Sequence, residues 1–256
     1  MSTTFIYDGN EYQSRSSLNG LEGWMVASTV SGAILSPLAY LGKPFQRQLN
    51  KEYIHNNEYK DCFLKAIDKS GLKQKGLNLA EAQYEFQDTV YKQGKNACFI
   101  PNSRTVLINT DKISCAGFHE LGHAMNALKS KYGVKYLAKM RGVGYAIAGL
   151  MEYFAIFSRT KPKGAPRNIQ DVIEDNCGKI AFISMLPIVA EEAIASIRGI
   201  KLAKLSGLSK SLVKNLEKLY LKALLTYAGR AALGGAAVYA SRKVMDYYTR
   251  PRLVEY

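Results

Sequence analysis

The chain has 256 residues, long enough to bury a sizeable core, and 47% of them are apolar, which is ordinary for a globular protein. Its formal net charge of +14 raises the question of a nucleic-acid partner, but the lysines are scattered and carry no recognition motif, so none is expected; an anionic membrane surface suits the same charge. Cys62, Cys98, Cys115 and Cys177 are widely spaced with no C-x-x-C pair, which argues against a zinc-knuckle pattern and a secreted disulfide framework.

Residues 1–20 read as a polar, loosely constrained tail, without the basic-then-apolar order of a secretory signal. Residues 21–42 form the first apolar segment, uncharged between Glu22 and Lys43 and long enough to cross ~30 Å of hydrocarbon as a transmembrane helix. Its Ser, Thr and Gly content suits close packing between membrane helices. Lys43, Arg47 and Lys51 follow, as on a cytoplasmic flank. Residues 43–95 read as a soluble helical segment. Tyr53, Tyr59, Phe63, Leu64 and Ile67 recur at helical spacing, Ser70-Gly71 ends that helix, and Asn78 is placed to cap another running from Ala80 through Phe86.

Two β-rich runs, 96–100 and 105–110, flank the turn sequence Pro101-Asn102-Ser103-Arg104 and predict a hairpin. Standing just before a motif-bearing helix, its edge strand either pairs with an extended peptide or simply braces that helix. The helix itself is predicted to start near Asp111 or Ser114 and to end at Tyr132-Gly133, with Phe118, Leu121, Met125 and Leu128 as its buried stripe. Gly122 weakens a helix, so a close packing contact is expected there. Downstream, the apolar run 143–158, interrupted by Glu152, and a second at 180–190 bracket a polar loop, together making a hydrophobic hairpin over 143–190. A fourth run, 223–240, contains Arg230, which argues against lipid on that face.

The chemistry is concentrated in His119-Glu120-Leu121-Gly122-His123, which reads H-E-x-x-H. Residues four apart share a helix face, so His119 and His123 can aim two imidazoles at one Zn²⁺, with Glu120 beside the water that such a metal activates. The chain has only three histidines, and two are spent here. A catalytic zinc takes a third protein ligand. No histidine follows His123, and among downstream carboxylates Glu192 stands out, with Glu191 as its rival.

Asn96-Ala97-Cys98-Phe99, the zinc helix with Ala124, and Glu192-Ala193-Ile194-Ala195-Ser196 together resemble the M48-like membrane zinc metallopeptidases of the HtpX and CAAX prenyl endopeptidase type, over roughly residues 90–200. The resemblance implies a gluzincin in which His119, His123 and Glu192 hold zinc and Glu120 is the general base. Where that family carries an aspartate orienting the first histidine, this chain has Ser196, which accepts the same hydrogen bond less strongly. Arg198 is a candidate for stabilising the oxyanion, or else a salt-bridge or headgroup contact.

The expected architecture is therefore mainly α with a small β-hairpin or sheet: a zincin-like core associated with a few hydrophobic, transmembrane helices. Its divisions are a tail (1–20), a membrane helix (21–42), a helical segment (43–95), a metallopeptidase core (96–200) and a C-terminal helical segment (201–256). The expected function is zinc-dependent endopeptidase action on a peptide or protein substrate at a lipid bilayer. Lys43, Arg47, Lys139, Arg141, Arg198 and Lys201 place the active site on the cytoplasmic face, at a bacterial inner membrane. The alternative is a non-catalytic membrane binding or regulatory protein with a structural zinc.

Overall fold

The computed structural model describes residues 4–7, 10–13, 17–51, 57–81, 97–108, 113–158, 160–162 and 165–253. These residues are mostly helical. Strands β1 (Thr4–Tyr7) and β2 (Asn10–Gln13) precede helices α1 (Ser17–Lys51) and α2 (Asn57–Ser70). Strands β3 (Asn78–Glu81), β4 (Cys98–Ile100) and β5 (Thr105–Ile108) come next. Helices α3 (Ala116–Leu128), α4 (Tyr132–Phe157), α5 (Ile169–Asp175), α6 (Cys177–Ser206) and α7 (Lys210–Thr249) follow, and β6 (Arg252–Leu253) closes the chain.

The residues gather into two compact units, each assembled from separate stretches of sequence. One comprises 40–141 and 187–228; the other comprises 1–39, 142–186 and 229–256. The linear divisions expected from sequence do not follow these units, because the boundaries fall inside α1, α4, α6 and α7.

In the first unit, β3, β5 and β4 form a mixed sheet in that order. β3 runs parallel to β5, and β4 pairs antiparallel with it in the register Phe99 to Val106. Val106, Ile108 and Phe99 turn toward a core closed by Tyr59, Phe63 and Ile67 of α2 and by Phe118 and Leu121 of α3. Phe118 is packed edge-on between Tyr59 and Phe63, at ring distances of 5.2 and 5.7 Å, a favourable aromatic geometry. Helix α2 ends at Ser70-Gly71 as its sequence suggests, Gly71 adopting the left-handed φ of 65° that such a stop uses. The expected hairpin is present as β4–β5; Asn96, Asn109, Thr110 and Asp111 lie outside the described residues.

Three sequence expectations are corrected. Asn78–Glu81 is a strand and not the start of a helix, because pairing with β5 supplies its backbone partners and overrides local propensity; residues 82–86 lie outside the described set. The supposed tail instead contains the antiparallel hairpin β1–β2, with β6 added to its second strand. Its sequence signal was the Asp8-Gly9 step between the strands, a dipeptide favoured in two-residue hairpins. Tyr132-Gly133 opens α4 and does not close α3, which stops at Leu128.

The second unit is richer in outward apolar side chains. Trp24 and Met25 on α1, Leu150 and Phe157 on α4, and Ile183 and Leu186 on α6 are all exposed. Its interior packs Met151, Ala155, Cys177, Ala181 and Val238 together. Glu152, the one charge in the apolar run of α4, accepts from the Ser241 hydroxyl at 3.0 Å. Among the described residues, α6 is long and apolar enough to cross a membrane, at a mean hydropathy of 1.8. The loop expected at 161–179 contains α5, started by a reciprocal cap between Asn168 and Asp171.

Candidate metal centre

The candidate site lies wholly within the unit formed by residues 40–141 and 187–228, where α3 and α6 touch backbone to backbone. A Cβ on Gly122 of α3 would lie 2.0 Å from the Ala195 carbonyl oxygen of α6, and one on Gly199 of α6 would lie 2.4 Å from the Phe118 carbonyl oxygen. Each helix therefore offers a glycine to the other's main chain. This reciprocal approach explains why a poor helix former sits between the two histidines, and it brings residues 191–196 against them.

His119 Nε2 and His123 Nε2 face each other at 2.9 Å. Glu192 Oε2 lies 3.1 Å from the first and 3.6 Å from the second. These three atoms form a triangle of the size that tetrahedral zinc requires, since bonds of ~2.1 Å put neighbouring ligand atoms about 3.4 Å apart. The far ring nitrogens are already engaged: His119 Nδ1 and Ser196 Oγ are hydrogen-bonded at 3.1 Å, and His123 Nδ1 donates to Glu191 Oε1 at 2.8 Å. Those bonds aim both Nε2 atoms inward at Glu192 Oε2, so the set can hold a cation at its centre, either a metal or a proton. The proton is seen in the electrostatics of His123. Burial alone would lower its pKa, but the hydrogen bonds to Glu191 and Glu192 outweigh that cost and hold it up at about 10.

Glu120 sits on the neighbouring side. Its Oε2 accepts the Phe99 N–H of β4 at 2.8 Å. Burial raises its carboxyl above the usual carboxylate range, against the opposing pull of His123, His119 and the Phe99 amide. The Tyr220 hydroxyl donates to the Cys115 carbonyl at 2.7 Å while its ring packs 5.3 Å from His119, and Tyr59 anchors the same segment through Ser114 and Cys115.

The residues proposed from sequence divide clearly. His119, Glu120, His123, Glu192 and Ser196 converge. Glu191 also reaches the site, but against the far nitrogen of His123. Arg198 does not join them: its guanidinium binds Ser130 Oγ, beyond the end of α3. Two residues entered only with the structure. Asn126, fully buried, donates to Glu191 Oε1 at 2.8 Å. Its position three residues after His123, on the same helix face, was the available signal. Arg141 donates through Nη2 to Glu191 Oε2 at 3.1 Å and to Glu192 Oε1. No local pattern links it to carboxylates that stand 50 and 51 residues away in sequence.

No protein-family model, curated protein or solved structure matches the chain. The reading of the site rests on its own geometry.

Proposed function

We propose that the protein is a zinc-dependent, membrane-associated endopeptidase. The observation that carries this reading is the triangle of His119 Nε2, His123 Nε2 and Glu192 Oε2, with both Nδ1 atoms held from behind and a carboxylate alongside. A structural zinc takes four protein ligands, whereas three ligands beside a poised acid–base group describe a catalytic centre. The donor set of two imidazoles and one carboxylate also fits the resemblance to the M48-like gluzincins.

Zn²⁺ held there supplies a Lewis acid for the scissile carbonyl and acidifies the attacking water. Glu120 would accept that water's proton and return it to the departing amine. The Phe99 amide fixes the carboxylate for both transfers. Ser196 and Glu191 hold the two imidazoles in orientation, and the Glu191 carboxylate keeps a proton on His123 Nδ1. The apolar length of α6 and the outward apolar side chains of the second unit support membrane association.

Zinc stoichiometry and cleavage of a fluorogenic peptide library, measured on detergent-purified wild type and Glu120→Gln, test the proposal. Glu120→Gln should keep one zinc and lose turnover by about 10²–10⁴-fold. Hydrolysis that survives this change would sink the assigned mechanism. Zinc binding with no hydrolysis by either protein would leave a non-catalytic, metal-holding membrane protein.

A further inference from the structure

Glu191 and Glu192 are neighbours on α6, and their side chains are only 3% and 2% exposed. Two adjacent buried carboxylates repel each other, and each needs a hydrogen-bonded cation to remain ionised. Arg141 of α4 meets both through a single nitrogen, Nη2. The oxygens are shared out one by one. Glu192 turns Oε2 to the two Nε2 atoms and Oε1 to Arg141. Glu191 turns Oε1 to His123 and Asn126, and Oε2 to Arg141.

We infer that Arg141 is a positioning residue of the metal centre: by holding Glu192 Oε1 it makes Glu192 a one-oxygen ligand and keeps a coordination position open. The inference rests on the zinc reading. A carboxylate freed from this clamp can rotate and bind a metal through both oxygens, filling the position that a catalytic site must leave to water or substrate. Arginine suits the task because its planar, weakly hydrated guanidinium gives up less hydration than an ammonium when it pairs with buried carboxylates. Its charge also stabilises Glu191, which orients His123, so one guanidinium secures a ligand and a ligand's support together.

Cobalt provides a readout independent of turnover, because the visible absorption of protein-bound Co²⁺ weakens as coordination expands beyond four. The experiment loads wild type, Arg141→Met, Arg141→Lys and the surface control Lys204→Met with Co²⁺, with zinc stoichiometry measured in parallel. Arg141→Met should still bind one metal but with visible absorption at least about twofold weaker, and Arg141→Lys should recover most of it. Lys204→Met should match wild type. An unchanged spectrum in Arg141→Met would overturn the inference. Metal loss that lysine does not restore would also overturn it, since that is the behaviour of a plain structural brace. Should Arg141→Met not fold, Arg141→Gln, which keeps an N–H donor without the charge, decides by the same band: weakened supports the inference and unchanged overturns it. A wild type that binds neither metal fails before any substitution is made; that outcome overturns the zinc reading itself, and this inference with it.

Discussion

Each of the two units contains a cluster of buried charge, and the two clusters are built on opposite principles. In the unit formed by 1–39, 142–186 and 229–256, Arg242 pairs with Glu174 at 3.1 Å and Asp246 at 3.2 Å, Arg250 reaches Asp246 at 3.5 Å, and the Thr160 hydroxyl donates to Asp246 at 3.0 Å. Two guanidiniums meet two carboxylates, so the charges of this cluster balance. In the other unit, Glu191 and Glu192 share one guanidinium, Arg141, which leaves one carboxylate charge to be met by the imidazoles or by a bound cation. His119 Nε2, His123 Nε2 and Glu192 Oε2 converge there. Buried charge alone therefore does not mark a functional site. A deficit at a point where ligand atoms converge does.

The contrast can be broken most directly at the ligands. His123→Ala and Glu192→Ala should each weaken zinc binding by more than about 100-fold, read by competition with a chelator, since even groups behind the ligands change affinity by about 10–100-fold. Zinc unaffected by Glu192→Ala would move the third ligand to Glu191. The opposite response is expected of the balanced cluster. Arg242→Met takes the guanidinium from Glu174 and leaves Asp246 to Arg250 and Thr160, and should cost about 3–5 kcal/mol in chemical denaturation, with zinc stoichiometry unchanged in the protein that remains folded.

Gly122→Ala tests the helix contact that assembles the metal site. Its Cβ would meet the Ala195 carbonyl, so a loss of about 1–3 kcal/mol is expected, together with weaker zinc binding. The smallest effect concerns pH. In the metal-free protein the pKa of His123 is raised from 6.5 to about 10. Its stabilising contribution is complete below the unfolded pKa and is lost as pH rises through about 10. Metal-free protein should therefore lose stability over that window in a thermal melt. Zinc-loaded protein should not lose this contribution, because the metal replaces the proton, and zinc uptake near neutral pH should release a proton detectable with an indicator dye.

Much of the site was legible because it is local. The four-residue step from His119 to His123 needs only a helix to bring two imidazoles together, and Ser70-Gly71 needs only the chain's own stereochemistry to stop α2. Strand pairing was less legible. Asn78–Glu81 carries no strong strand signal and becomes a strand because β5 lies beside it, while the hairpin in 4–13 was hidden by the polar residues around it. The choice between Glu191 and Glu192 was also closed to sequence, since adjacent residues differ by about 100° around a helix and either can face a partner whose direction is unknown.

By itself, the sequence determined that two histidines and a carboxylate share one face of one helix, that a glycine among them calls for close packing, and that the chain is mainly helical; each follows from spacing and local backbone preference. Only the tertiary structure decided that Gly122 and Gly199 let α3 and α6 meet, that Glu192 faces the two Nε2 atoms while Glu191 stands behind His123, and that Arg141 binds both carboxylates. Those relations join residues 50 to 81 positions apart, and no local preference encodes a distance that arises only when separate helices pack.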